Sequence, residues 1–431
     1  MLDAMAKLGM PVFAVILSGF AVGATVEGQG TPVFYRDVLP VLQKRCQRCH
    51  RPGEIGPMPL ETYAQARPWA AAIREAVLRK KMPPWFADQR FGKFADDPAL
   101  TPNEIQEIAK WAAGGAPKGD PAQGPKPIAW PVGWSIGKPD VVLEMPGTIP
   151  VPAKGVVDYQ YVVMPTGFQR DRWVTEAEVR PTARRVVHHV VIYIRPPGSE
   201  WLKEAKVGIP YSIPEDDPRH RRLWTTSDML LVYAPGNPPM RLPKGMAKKI
   251  PAGSDLVFQM HYQPDGKAAL DHERIGLKFA KGPVVKRVFT LQLGNDTFVL
   301  PPGDPDVRVA AYGTLPRETE ILSFFPHMHL RGTSFAFHYI HPDGRIETML
   351  YVKPYDFHWQ LNYVLAKPRV LPKGAKLEWV AHFDNSKNNP NNPDPDAAVR
   401  FGEQSTAEMM IGFFDVTAPV GMDKDGFFVR K

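Results

Sequence analysis

Ile250-Pro251-Ala252-Gly253 leads into Leu256-Val257-Phe258-Gln259-Met260-His261-Tyr262, and Leu371-Pro372-Lys373-Gly374 leads into Leu377-Glu378-Trp379-Val380-Ala381-His382-Phe383. The two stretches lie 121 residues apart (from 250 to 371, and from 261 to 382). Each is a turn feeding a strand that ends in His-aromatic. Similar short apolar runs at 159–163, 186–194 and 289–293 alternate with Pro and Gly turns beyond Asp140. Helical periodicity is nearly absent there. That pattern predicts antiparallel β-sandwiches. The repeat predicts two related ones, at 141–284 and 285–431.

Upstream the texture differs. Residues 121–140 are rich in Pro and Gly and read as a semi-rigid linker. Pro68 to Lys80 has helical character, with Pro at its first position. Thr101-Pro102-Asn103-Glu104 carries an N-cap, a first-turn Pro and a Glu three residues after the cap. The expected fold class is therefore multidomain: a small all-α domain at 32–120, followed by two β-sandwiches.

Length and composition frame these parts. A chain of 431 residues suggests about three domains. Its 47 Pro favour short strands and turns over long helices. The net charge of +8 is scattered, and no aromatics interleave Arg219-His220-Arg221-Arg222, so a nucleic-acid partner is not expected. Residues 1–24 read as a secretory signal: Lys7 is basic, and Pro11 to Ala24 is apolar but short for a bilayer span. The expectation is a periplasmic or secreted protein with no stable membrane insertion after cleavage. Its two Cys cannot form a disulfide framework.

Those two Cys carry the clearest motif. Cys46-Gln47-Arg48-Cys49-His50 is the C-x-x-C-H pattern of covalent haem attachment. Two thiols at that spacing reach the two vinyl groups of one haem, and the next His faces the iron. Met82, in Met82-Pro83-Pro84-Trp85, is the favoured sixth ligand, with Met58 its rival. Residues 32–120 resemble a class I cytochrome c. The resemblance implies Cys46 and Cys49 as thioether anchors, and His50 and Met82 as axial ligands.

The histidines are the second signal. Phe325-Pro326-His327-Met328-His329-Leu330-Arg331-Gly332 places two His two apart after an apolar run. On a strand they would share a face. Val186-Val187-His188-His189-Val190 places two His side by side. On a regular strand these face opposite ways, so both reach one metal only where the backbone is irregular, or through different ring nitrogens. Met409 of Glu408-Met409-Met410 would complete a His2Met set with His327 and His329, and imidazole plus thioether favours copper over zinc. His188, His189 and His261 would make an all-His site, which also suits copper. His382 and Met410 are rivals for the second set.

Residues 140–431 resemble the copper type II, ascorbate-dependent monooxygenase family, that of peptidylglycine α-hydroxylating monooxygenase and dopamine β-monooxygenase. The resemblance rests on the His-His pair, His261-Tyr262, the His-x-His-Leu stretch and the Glu-Met pair. It implies two jelly-roll domains, each with one copper, facing across a solvent-filled cleft. The copper of His327, His329 and Met409 would bind and reduce O2 for attack on a substrate C–H bond. The copper of His188, His189 and His261 would supply the second electron. The chain departs from the disulfide-rich animal enzymes in having no Cys for disulfides, its two belonging to the haem motif, and in its added haem segment, which looks like a bacterial fusion.

The expected function is hydroxylation of an unidentified small-molecule substrate with O2. An external reductant or redox protein would supply electrons through the chain's own c-type haem. The alternative is a non-oxygenase haem and copper protein for electron transfer or copper binding. A zinc-bound structural protein is disfavoured by Met409.

Overall fold

The computed structural model describes residues 30–213, 228–424 and 427. The signal reading at 1–24 and the basic cluster at 219–222 lie outside them. No helix among the described residues is long and apolar enough to cross a membrane.

A four-stranded sheet carries Gln160–Pro165, Asp255–Tyr262, Val187–Arg195 and Asp228–Tyr233, in that spatial order. A second carries Val307–Thr314, Lys376–Phe383, Gly332–Ile340 and Ile346–Val352. The two repeat stretches, Asp255–Tyr262 and Lys376–Phe383, hold the same second place in these sheets. Both sheets pack against one nine-stranded sheet that runs through both halves. The halves meet where Met246–Ile250 pairs in parallel with Lys286–Asn295, over Lys286↔Met246 and Arg287↔Ala247. Each half keeps its own apolar core. One is built around Val174, Val190, Phe258 and Leu277, the other around Phe289, Phe324, Phe337 and Trp379. Inward residues alternate with outward ones along strands such as Val307–Thr314, as one buried face requires.

The expected fold class needs correcting. Of the described residues 36% lie in strands and only 12% in helices, and among them no free-standing all-α domain precedes the sheets. The α-helices are short: Leu39–Arg45, Tyr63–Ala66, Ala70–Leu78 and Pro102–Ala113. They share a small cluster around Phe34, Leu42, Ile108 and Trp111. The segment between the last two leaves that cluster and joins the second half. Ala87 bridges Val352, and Phe94 bridges Leu365. The Trp85 ring lies 4.8 Å from Tyr363. The shared sheet likewise replaces two separate sandwiches. Apolar side chains in a Pro-rich segment with no helical stripe have no local face to bury, so they find one on the neighbouring sheet.

Candidate metal centre and haem cradle

The Val187–Arg195 strand is irregular where a shared metal needs it to be. Its register against Asp255–Tyr262 runs Val187↔Tyr262 and then His189↔His261, a β-bulge at His188. A bulge re-aims the extra residue's side chain, so the adjacent His188 and His189 turn towards one point. Nitrogens of His188, His189 and His261 all lie within 4.8 Å of one another. Hydrogen bonds identify which nitrogens are left over. His188 Nε2 donates to the Phe357 carbonyl at 2.9 Å, so its Nδ1 is the unprotonated one. That Nδ1 lies 3.1 Å from His189 Nδ1. His189 Nε2 sits 3.5 Å from the Tyr159 hydroxyl. His261 Nδ1 is buried with no partner. The set presents three Nδ1 atoms. Tyr159 stacks on His261 and Phe357 on His188, with ring centroids 4.6 and 4.2 Å apart.

His327 ends the strand Thr319–His327 and His329 lies just beyond it. The shared strand face expected for the pair therefore gives way to a turn, which still sets the rings 5.2 Å apart at 90°. His327 Nδ1 lies 2.7 Å from Gln360 Oε1 and His329 Nδ1 lies 3.3 Å from the Ala407 carbonyl. Both leave Nε2, and that of His329 is buried without a partner. Glu408 fastens the turn. Its carboxylate accepts from the amides of His329 (2.9 Å), Arg331 (2.6 Å) and Met409 (3.3 Å). Burial pushes Glu408 up to about 8, against those donors, which favour the carboxylate.

The strand containing Phe413 begins at Met410, so Met409 precedes it. Met409 lines a small cavity with His189 and His327, whereas Met410 is buried in the core of the second half. His382 stands apart from the cluster, 2.7 Å from Asp306.

The two sets are neighbours. The rings of His189 and His327 are 5.8 Å apart. In place of the solvent-filled cleft that the resemblance implies, the cavity between them is about 30 Å3. All five histidines are held neutral. Burial pushes His188 down to about 3 and His327 to about 4, and holds His189, His261 and His329 well below the usual histidine value. Neutral imidazoles gathered around two buried nitrogens without a partner, His261 Nδ1 and His329 Nε2, are a donor set for a cation, because an orphaned acceptor in an apolar interior is costly. With the Met409 thioether beside them, the soft-donor set fits copper.

A cavity of about 700 Å3 lies between the short helices and the nine-stranded sheet. Cys46, Cys49 and His50 line it, and so do both Met58 and Met82. His50 Nδ1 is 3.1 Å from the Met58 carbonyl, which leaves Nε2 for an iron. The thiols of Cys46 and Cys49 are unpaired, and burial pushes Cys46 up to about 12 and raises Cys49. Gly56 closes the turn: a Cβ there would stand 2.8 Å from His50 Nδ1 and 2.7 Å from the Cys49 carbonyl. The cavity is within the usual range of cofactor sites, and its residues fit a covalent haem.

Sequence reading missed Tyr159, Phe357 and Gln360, which orient the ring nitrogens. No local pattern marks them, since Phe357 and Gln360 come from a turn of the opposite half.

No family model matches the chain, and no curated protein matches it. Among solved structures, the major capsid protein P2 of bacteriophage PM2 is similar at 11% identity and a TM-score of 0.26, over 65% of this chain and 99% of that one. The infectious bursal disease virus Gx strain matches at 10% identity and a TM-score of 0.19, over 67% and 75%. The VP2 subviral particle of that virus matches at 10% and 0.19, over 66% and 73%.

Proposed function

We propose that the chain is a copper-dependent monooxygenase that hydroxylates a C–H bond of a small substrate with O2, fed with electrons through a haem attached at Cys46 and Cys49. The observation that carries this reading is the buried five-histidine cluster, whose candidate ligand nitrogens divide into an Nδ1 set (His188, His189, His261) and an Nε2 set (His327, His329) with Met409 beside it. When bound, copper supplies one-electron redox chemistry and O2 activation, and haem supplies electron relay. The chain's residues do the rest. Phe357, Gln360 and Ala407 hold three imidazoles in the required tautomer through His188, His327 and His329. Glu408 binds the His329 turn to Met409. Burial keeps the ligands unprotonated and excludes water. The proposed setting is a bacterial periplasm or secretion, with an external donor reducing the haem.

The second reading, a haem and copper electron-transfer protein without oxygenase activity, is favoured by the small cavity between the sets. About 30 Å3 holds roughly one water and no organic substrate. Incubation of the copper-loaded, reduced full-length protein with bacterial extract under labelled O2 separates the two. The oxygenase reading predicts labelled hydroxyl product and substrate-dependent O2 uptake that copper removal abolishes. Copper and haem redox cycling with no label in any product would leave only the second reading.

A further inference from the structure

Four side chains line both cavities: Met229, Val232, Phe325 and Phe413. They form a partition one side chain thick between the haem cradle and the histidine cluster. Phe325 and Phe413 are direct cross-strand partners with ring centroids 5.9 Å apart. Phe325 also shares its strand face with His327, two residues on. On the other side Val191 shares a strand face with His189, two residues before it. Val191, Met229, Phe325, Phe413 and Met409 belong to one packed apolar cluster, distinct from the two large cores. Each of these five is at most 7% exposed. The cluster therefore touches the 700 Å3 cavity at one end and ligands of both metal sets at the other.

Resting on the proposed haem and copper reading, we infer that this partition is the electron route from haem to copper, and that Phe325 and Phe413 are its positioning residues. The step moves one electron. Ferrous haem becomes ferric, a Cu(II) held by the cluster becomes Cu(I), and no bond to a substrate forms or breaks. Tunnelling through continuous packing is far more effective than across a void, and interiors packed to this density offer few voids. A competing path exists along one turn. Trp359 and Leu361 line the haem cavity, while Gln360 between them contacts His327.

The test uses the full-length, haem- and copper-loaded protein under anaerobic conditions. A photosensitiser injects one electron into the haem, and haem reoxidation is followed optically. The wild type should reoxidise only when copper is present. The double substitution Phe325→Leu with Phe413→Leu should slow this step about tenfold by replacing ring contacts with a gap. Haem spectrum, haem potential and copper content should stay as in the wild type. Phe383→Leu, a buried change in the core of the second half, should leave the rate unchanged and so controls for general loosening. An unchanged rate in the double variant overturns the inference. So does a rate that falls only with Gln360→Leu, which would put the route along the turn. If copper-loaded wild type shows no copper-dependent reoxidation, the haem and copper reading itself fails, and the route with it.

Discussion

The two β halves share a repeat, yet they draw their candidate metal ligands from different places. In the first half all three histidines sit on the four-stranded sheet, on Val187–Arg195 and Asp255–Tyr262. In the second half the corresponding sheet contributes none. His382 occupies the repeat position of His261, but it faces Asp306 and solvent. The second set instead comes from the nine-stranded sheet: the end of Thr319–His327, the turn after it, and Met409 before Met410–Pro419. Strand residues are positioned by the ladder itself and need only a bulge. Ligands beyond strand ends need another restraint, and Glu408 provides it by accepting from three amides. A shared fold thus supports two differently restrained sites, one set by sheet register and one by a buried carboxylate.

The comparison yields graded outcomes. The largest is loss of a whole metal. His261→Ala should lower copper by one per chain and leave the second set loaded, as metal analysis would show. Loss of both coppers would mean the adjacent sets form a single unit. Next is Glu408→Gln, which replaces a carboxyl oxygen that accepts from the amides of the turn by an NH2 group that cannot accept. Because outer-shell partners of ligands are worth about 10–100-fold in metal affinity, this substitution should weaken copper at the second set by that order and spare the first. Equal weakening at both would show that Glu408 supports the fold and not the one site.

A smaller effect appears in acid. His188 and His327 are held at about 3 and 4 when folded, against 6.5 when unfolded. Between those values the unfolded chain binds more protons, so metal-free stability is full above 6.5 and falls as pH drops. Each histidine that stays neutral contributes a slope of up to about 1.4 kcal/mol per pH unit. Denaturant midpoints of the metal-free protein should fall between pH 6.5 and 4, and less steeply in His327→Leu. The smallest effect is that of His382→Ala. It removes a part-exposed contact with Asp306, so stability should change by less than about 1 kcal/mol with copper content unchanged.

Much of this was legible in the chain. Leu256 to Tyr262 and Leu377 to Phe383 fall on strands in equivalent sheet positions, because turn chemistry and alternation are local. The condition for His188 and His189 to share a metal, an irregular backbone, was also readable, and the bulge meets it. What was not legible came from long-range packing. The helical stretch suggested a free-standing unit, but Trp85 and Phe94 bury themselves on the second half. A two-residue parallel pairing, too short to leave a pattern, fuses the halves. Phe357 and Gln360 reach the histidines from a turn whose composition says nothing of metals. The separation of the two sets likewise depends on how the halves close on each other, and a family resemblance supplied a cleft where the chain packs rings 5.8 Å apart.

The central claim is that one chain holds two coppers in chemically different donor sets beside one covalent haem. Copper and haem analysis of the full-length protein, combined with sulfur-sensitive X-ray absorption at the copper edge, tests it most directly. The expected result is two coppers and one haem per chain, with a copper–sulfur scattering path that disappears in Met409→Leu and persists in Met410→Leu. A single copper, stoichiometric zinc from copper-replete cells, or a sulfur path insensitive to Met409 would contradict it.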